Sequence, residues 1–485
     1  MKFGLPEKLA VALTAAALLA NCAANPVTGR PDFVMMSEEQ ELALGKKADG
    51  EVRKEYGVYK DPGLQAYMNR IGTRLAASSH RAGIFYHFTV VDSPEINAFA
   101  LPGGYIYVTR GILAYLDSEA ELAAVVGHEI GHVTARHGVR QYSASMAAGL
   151  GAAVVGAVVP QVGQVAQSVV DVLSSAIISG YGRDHELEAD KLGAEYLARA
   201  GYDPQAMIEV IGVLKDQETF DAEIARKEGR EPRRYHGLFA THPDSDTRLK
   251  EVVGEATRLA KPGAAQVRGA SDYLRELDGM VFGDNPDLGM PRGNAFYHPG
   301  LGFALRFPQG WRLKNQADRV QATSPSGDAL MELRMLDKAQ GTPSDLLRRK
   351  LQISPGTEMD TTAISGLPAA ATTIQRSGRP IYAATVFLGD NAYLLAGTVK
   401  QASSYGRYAS EITAAARSFH PITDAERKLA EPLRLKLVKA RKGDTFASLA
   451  QGSPLGRNAE GYLRLMNGAY PTGEPAPGQT LKVVE

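Results

Sequence analysis

The 485-residue sequence contains one cysteine, Cys22, and one tryptophan, Trp311. A single thiol excludes an internal disulfide and any metal site built from several thiolates. Lysine plus arginine and aspartate plus glutamate both number 54, so the formal net charge is zero. With no surplus of positive charge there is no electrostatic hold on a polyanion, and no nucleic acid is expected as a partner. Also missing is an uninterrupted apolar run of the about 20 residues that a membrane-spanning helix needs. With 44% hydrophobic and 22% charged residues the composition is that of a globular chain, neither disordered nor collagen-like. At about 100–200 residues per domain, the length allows about three folded units. Eight of the ten histidines precede residue 250, which directs the search for chemistry to the first half.

Lys2 and Lys8 precede a charge-free apolar stretch, Leu9 to Ala20, with the charged lead and short apolar centre of a secretory signal. The lone cysteine follows in Leu18-Leu19-Ala20-Asn21-Cys22, which resembles a bacterial lipobox, where the cysteine becomes the lipidated first residue of the mature chain. Asn21 departs from the small residue usual before that cysteine, leaving simple cleavage nearby as the alternative. Cutting before Cys22 leaves 52 basic and 53 acidic residues, a net charge of −1. No aspartate follows at Ala23 or Ala24, as in lipoproteins sent to the outer membrane. Residues 1–21 are therefore expected to be a signal peptide and 22–36 a lipid-anchored lead, placing the protein in a bacterial periplasm on the outer membrane.

A capping box at Ser37 and Gln40 opens the first helical pattern, and with it a domain expected over 37–262. Phe85 to Val91 reads as a strand, and Ile96 to Thr109 as two more around the Pro102-Gly103-Gly104 reversal. Ser118 and Glu121 form a second capping box, opening a helix through Leu122, Val125, Val126 and Val133. Gln141 to Val170 carries no charge, but Pro160 and three glutamines interrupt it. It reads as a buried or lid-like helical pair, with a membrane-dipping segment as the alternative. Helical patterns resume over Glu186–Ala200 and continue to about residue 260. From Lys261-Pro262-Gly263 onward the pattern changes to period two, in Phe303/Leu305/Phe307, Ala329–Met335, Tyr382–Leu388 and Tyr393–Val399, with helices at Ser344–Leu351 and Tyr405–Ser418. An α+β accessory domain is expected over 263–428. Its stretch from Gly302 to Trp311 resembles the opening strand of sandwich domains of the PsbP/DcrB kind, and Trp311 is assigned to the core. Residues 433–485 read strand, helix, helix, strand, with Gly443-Asp444-Thr445, Asn467-Gly468 and Pro477-Gly478-Gln479. They resemble a LysM module, which would bind peptidoglycan; a structural cap is the alternative.

His128-Glu129-Ile130-Gly131-His132 is an HExxH sequence on a predicted helix. Histidines four apart share a face, so both imidazoles can reach one metal ion while Glu129 reaches a water on that metal. A zinc site needs a third protein ligand. Downstream, Glu186 and Asp190 also lie four apart on a helix, fitting one ligand and one carboxylate that orients a ligating histidine, whereas Glu188 points elsewhere. His137 is assigned to the surface, and His185 is expected to face away from the metal. His80, His87, His236, His298 and His420 have no partner at ligand spacing.

HExxH followed by ExxxD, with Asn97-Ala98-Phe99-Ala100-Leu101-Pro102-Gly103-Gly104 before and Thr241-His242-Pro243 and Arg248 after, resembles the HtpX/BepA/LoiP family of zinc metallopeptidases, related to the CAAX prenyl endopeptidases. The likeness covers roughly residues 25–260. It implies one zinc ion per chain, held by His128, His132 and Glu186, with Glu129 as catalytic base and Asp190 as a second catalytic or orienting group. It further implies that substrate adds as a β-strand along Asn97, Ala98 and Phe99, and that His242 can act as a regulatory fourth ligand.

The expected protein is thus multidomain: a mainly α metallopeptidase domain with a small edge sheet, an α+β sandwich-like domain, and a small βααβ end. Its expected function is hydrolysis of misfolded or mis-assembled envelope proteins. The alternative is a peptidoglycan-associated binding or chaperone-like lipoprotein with a latched peptidase domain.

Overall fold

The computed structural model describes residues 22–146, 181–228, 251–252, 254, 258–259 and 266–485. The expected signal peptide at 1–21, most of the charge-free stretch and His242 lie outside these. The chain divides into two compact units. The first comprises 1–53, 58–280 and 434–485; the second comprises Lys54–Gly57 and Val281–Leu433. No helix among the described residues is long and apolar enough to cross a membrane.

In the first unit, a two-stranded hairpin, β1 (Cys22–Ala24) and β2 (Pro31–Phe33), precedes helix α1 (Glu38–Tyr56). The expected capping box is present: Gln40 N–H donates to Ser37 Oγ, and Ser37 N–H donates to the Gln40 side chain. Helix α2 (Pro62–Ala76) starts at Asp61, whose carboxylate caps the Leu64 N–H, with Pro62 in the first turn where its missing N–H costs nothing. Three strands follow: β3 (His87–Val91), β4 (Ala98–Leu101) and β5 (Tyr105–Thr109). β5 lies between a parallel β3 and an antiparallel β4, so β4 is an edge. Gly103 and Gly104, both with positive φ, make the reversal from β4 to β5.

Helix α3 (Glu119–Thr134) is buried along its whole length, which its Ala- and Val-rich sequence permits. The Ser118 hydroxyl caps the Glu121 N–H at 3.2 Å, an arrangement typically worth about 1 kcal/mol. The Glu121 carboxylate, however, accepts from the Asp117 backbone N–H, one residue earlier than a capping box requires. α3 packs on α4 (Arg183–Arg199) and α5 (Ala206–Glu228). A short helix, α6 (Ala270–Leu277), seats Tyr273 in the core, where its hydroxyl donates to the Leu113 carbonyl.

The second unit is β-rich. A four-stranded antiparallel sheet contains β6 (Met290–Arg292), β7 (Ala295–His298), β8 (Phe303–Arg306) and β15 (His420–Pro421), ordered β15-β8-β7-β6. A six-stranded antiparallel sheet contains β9 (Arg312–Asn315), β10 (Val320–Thr323), β11 (Ala329–Lys338), β12 (Ala369–Arg376), β13 (Arg379–Leu388) and β14 (Asn391–Val399), ordered β9-β10-β11-β14-β13-β12. Alternate residues of its central strands face opposite ways, as the period-two pattern dictates. Ala384, Val386 and Leu395 join Tyr408 and Ile412 of α8 (Tyr405–Arg417), while Ala383 and Leu394 meet Leu347 of α7 (Pro343–Leu351). Trp311 is in the first of these cores, as expected, with its indole N–H donating to Glu411.

The chain then returns to the first unit. β16 (Leu433–Lys439) pairs antiparallel with β17 (Thr480–Val484), enclosing α9 (Phe446–Ala450) and α10 (Ala459–Met466). This is the expected strand-helix-helix-strand order, but the segment packs as part of the peptidase-like unit. Phe220 of α5 meets the rings of Tyr462 and Tyr470 edge-on, at 5.0 and 5.7 Å. Lys482 is fully buried, its ammonium donating to the Leu116 carbonyl at 2.5 Å and paired with Asp117 at 2.8 Å.

Candidate metal centre

Two helices converge at the candidate site. Helix α3 carries His128 and His132 four residues apart, one above the other on the same face. Helix α4 crosses α3 so closely that no side chain fits between them. A Cβ on Gly131 would lie 2.8 Å from the Ala189 carbonyl oxygen, and one on Gly193 would lie 2.9 Å from the His128 nitrogen. This approach brings Glu186 to the two histidines. Its carboxylate oxygens lie 3.5 Å from His128 Nε2 and 3.5 Å from His132 Nε2, and the two Nε2 atoms are 3.0 Å apart. The three ligand atoms fall within 4.8 Å of one another, and all three residues are buried. Two imidazole nitrogens and one carboxylate, brought together at a buried site, fit the three-ligand set of a catalytic zinc centre.

Asp190, one turn after Glu186 on α4, is fully buried with Oδ1 2.8 Å from His128 Nδ1. That contact directs Nε2 of His128 toward the ligand cluster. Burial opposes charge on His128, but Asp190 and Glu186 outweigh it and hold its pKa up at about 9, so a proton competes with a metal ion for this ring at neutral pH. Glu129 is buried beside this cluster. Tyr181 stacks on the His132 ring with centroids 4.2 Å apart. Burial raises its phenol pKa, and the Glu129 and Glu186 carboxylates raise it further.

The surface assignment of His137 was wrong. Continued as a straight helix, α3 would have carried it away from the metal; instead α3 ends at Thr134, and Arg136 adopts a left-handed φ of +55° before the chain turns helical again. Arg136 is held there by buried partners. Its Nε lies 2.9 Å from Glu41 Oε2, its Nη2 donates to the Met36 carbonyl, and Arg81 closes the network at 2.8 Å from Glu41 Oε1. The break returns His137, now fully buried, to His132: their Nδ1 atoms are 2.8 Å apart. Burial pushes the His137 pKa down despite the neighbouring Glu188. His185 stands away from the ligand cluster and stacks on His137. His80 is paired with the Tyr196 hydroxyl, and His87 stacks on Tyr105. No feature of the sequence announces the break, because the left-handed position is an arginine rather than a glycine.

Asn97 immediately precedes edge strand β4, Ala98 and Phe99 are its first residues, and Phe99 stacks on Tyr107 of β5. The far end of that strand reaches the centre, since Ala100, Leu101, Pro102, His132 and Tyr181 line one small pocket.

Residues 62–256 match the model of peptidase family M48. The chain is 31% identical over 256 residues to a beta-barrel assembly-enhancing protease of Yersinia pestis, covering 51% of this chain and 50% of that one. To the mitochondrial metalloendopeptidase OMA1 of Arabidopsis thaliana it is 36% identical over 249 residues, 49% of this chain and 47% of that one. To the metalloprotease YcaL of Escherichia coli K12 it is 27% identical, over 38% of this chain and 69% of that one. The chain spans about half the length of the first two relatives. A solved PsbP from Synechocystis covers 27% of the chain at 13% identity and a TM-score of 0.17, too slight a likeness to bear on the second unit. Family match and geometry agree on the same stretch: residues 62–256 are similar to peptidase family M48, and within them His128, His132 and Glu186 form a buried group that could hold a metal ion.

Proposed function

We propose that the protein is a zinc metalloendopeptidase that cleaves polypeptides of a bacterial envelope. The observation carrying this reading is the convergence of His128, His132 and Glu186 with Glu129 buried beside them. When bound, zinc supplies a Lewis acid and lowers the pKa of a water molecule toward neutrality. His128, His132 and Glu186 hold the ion, and Asp190 keeps the His128 ring turned toward it. Glu129 accepts the proton of the attacking water and delivers it to the leaving amine nitrogen. Substrate lies as an added strand along Asn97, Ala98 and Phe99; the edge position of β4 and its end in the His132 pocket support this.

The likeness to beta-barrel assembly-enhancing proteases supports an envelope substrate. Lipidation at Cys22, an outer-membrane location, a regulatory role for His242 and peptidoglycan binding by the LysM-like end complete the reading. Two variants test the central claim. Glu129→Gln is expected to retain one zinc per chain and lose casein cleavage by at least about a thousandfold. Glu186→Ala is expected to lose the zinc itself. Casein cleavage by Glu129→Gln at the wild-type rate would refute the assignment.

A further inference from the structure

Each ligating histidine has two ring nitrogens, and the one turned away from the metal needs a partner that fixes the ring. For His128 that partner is Asp190. For His132 it is a histidine: His132 Nδ1 lies 2.8 Å from His137 Nδ1, and His137 Nε2 lies 3.0 Å from Glu188 Oε2, which also accepts from Arg140 at 3.2 Å. Once His132 presents the Nε2 lone pair to a metal, only one arrangement of protons satisfies the chain of neutral rings. His132 Nδ1–H donates to His137 Nδ1, and His137 Nε2–H donates to the Glu188 carboxylate. Tyr181 and His185 lie against the faces of the two rings, with centroids 4.2 Å from His132 and His137 respectively, and limit their tilt.

We infer that His137 and Glu188 are positioning residues for the metal, setting the tautomer and orientation of His132 as Asp190 does for His128. Helix α4 then supplies three carboxylates to the centre: Glu186 as ligand, Asp190 behind one histidine and Glu188 behind the other. Glu188 lies off the Glu186–Asp190 face, and it reaches His132 only because the break at Arg136 interposes His137.

The inference deepens the metallopeptidase reading and rests on it. Its test is zinc affinity of the full chain, measured by competition with a chromophoric chelator, together with the visible spectrum of the cobalt-substituted protein. His137→Phe fills the space and keeps the ring stack but offers no acceptor; zinc affinity is expected to fall by about 10- to 100-fold. His137→Asn restores an acceptor oxygen near the Nδ1 position and is expected to recover most of that loss and the wild-type cobalt spectrum. Glu188 is partly exposed, so Glu188→Ala disturbs no core and carries the test if His137→Phe fails to fold; a loss of about tenfold is expected. Wild-type affinity in Glu188→Ala, or His137→Asn binding no better than His137→Phe, would overturn the inference. Wild-type protein without stoichiometric zinc would overturn the metallopeptidase reading as well.

Discussion

Glu121 stands in the first turn of α3, where the Asp117 backbone N–H donates to one carboxylate oxygen and the Ser118 hydroxyl to the other. Burial raises its pKa to about 7, and the Asp117 carboxylate adds to this against the pull of the Asp117 N–H and Lys482. A carboxyl with a raised folded-state pKa contributes stability that is complete below its ordinary value and lost as pH rises through about 7. Between pH 6 and pH 8 this group should therefore remove about 1.4 kcal/mol from folding stability. Glu121→Gln cannot titrate and should flatten that part of the curve. Denaturant melts of both proteins at the two pH values check this; parallel losses would mean that Glu121 does not titrate in this range.

At the scale of elements, the site depends on how closely α3 and α4 can approach. Gly131 faces the Ala189 backbone across that contact, and backbone cannot swing aside as a flexible side chain can. Gly131→Ala should force the helices apart, weaken zinc binding by at least about tenfold and cost about 1–3 kcal/mol of stability. Gly212, in α5 with open space at its Cβ position, provides the control: Gly212→Ala should bind zinc normally and gain up to about 1 kcal/mol. Equal zinc affinity in all three proteins would show that the crossing has slack. The elements themselves were legible because their signals are local. Capping residues marked α1 and α3, glycines marked the β4–β5 reversal, and period-two patterns marked the large sheet. The pairs His128/His132 and Glu186/Asp190 were legible for the same reason, since i and i+4 on a helix share a face, whereas the choice of Glu186 over Asp190 as ligand came from the family resemblance. Hidden from the sequence was the turn at Arg136, which depends on Glu41 and Met36, about 100 residues earlier, and therefore so were the burial of His137 and the role of Glu188.

Over the whole molecule, the segment resembling a LysM module is bound into the first unit by a buried charge. Lys482 pairs with Asp117 beside the cap of α3, so Lys482→Ala would leave the Leu116 carbonyl without its buried donor. It should destabilise the first unit by about 2–4 kcal/mol, read as a lower melting midpoint of the zinc-bound protein. The second unit has a different standing. The chain leaves the first unit after Met280 and re-enters at Arg434, where Gly279 N–H donates to the Leu435 carbonyl and Leu435 N–H to the Met280 carbonyl. Replacing residues 281–433 by a short glycine-serine linker should preserve zinc binding and casein cleavage; loss of zinc would show that the second unit supports the metal centre.

That connectivity also imposes an order in time. A chain emerging from the ribosome N-terminus first exposes HExxH and its carboxylates early, but Lys482 and β17 follow only after the entire inserted unit. The support beneath the cap of α3 is thus made only after the entire inserted unit, long after the helices that carry the metal-binding residues.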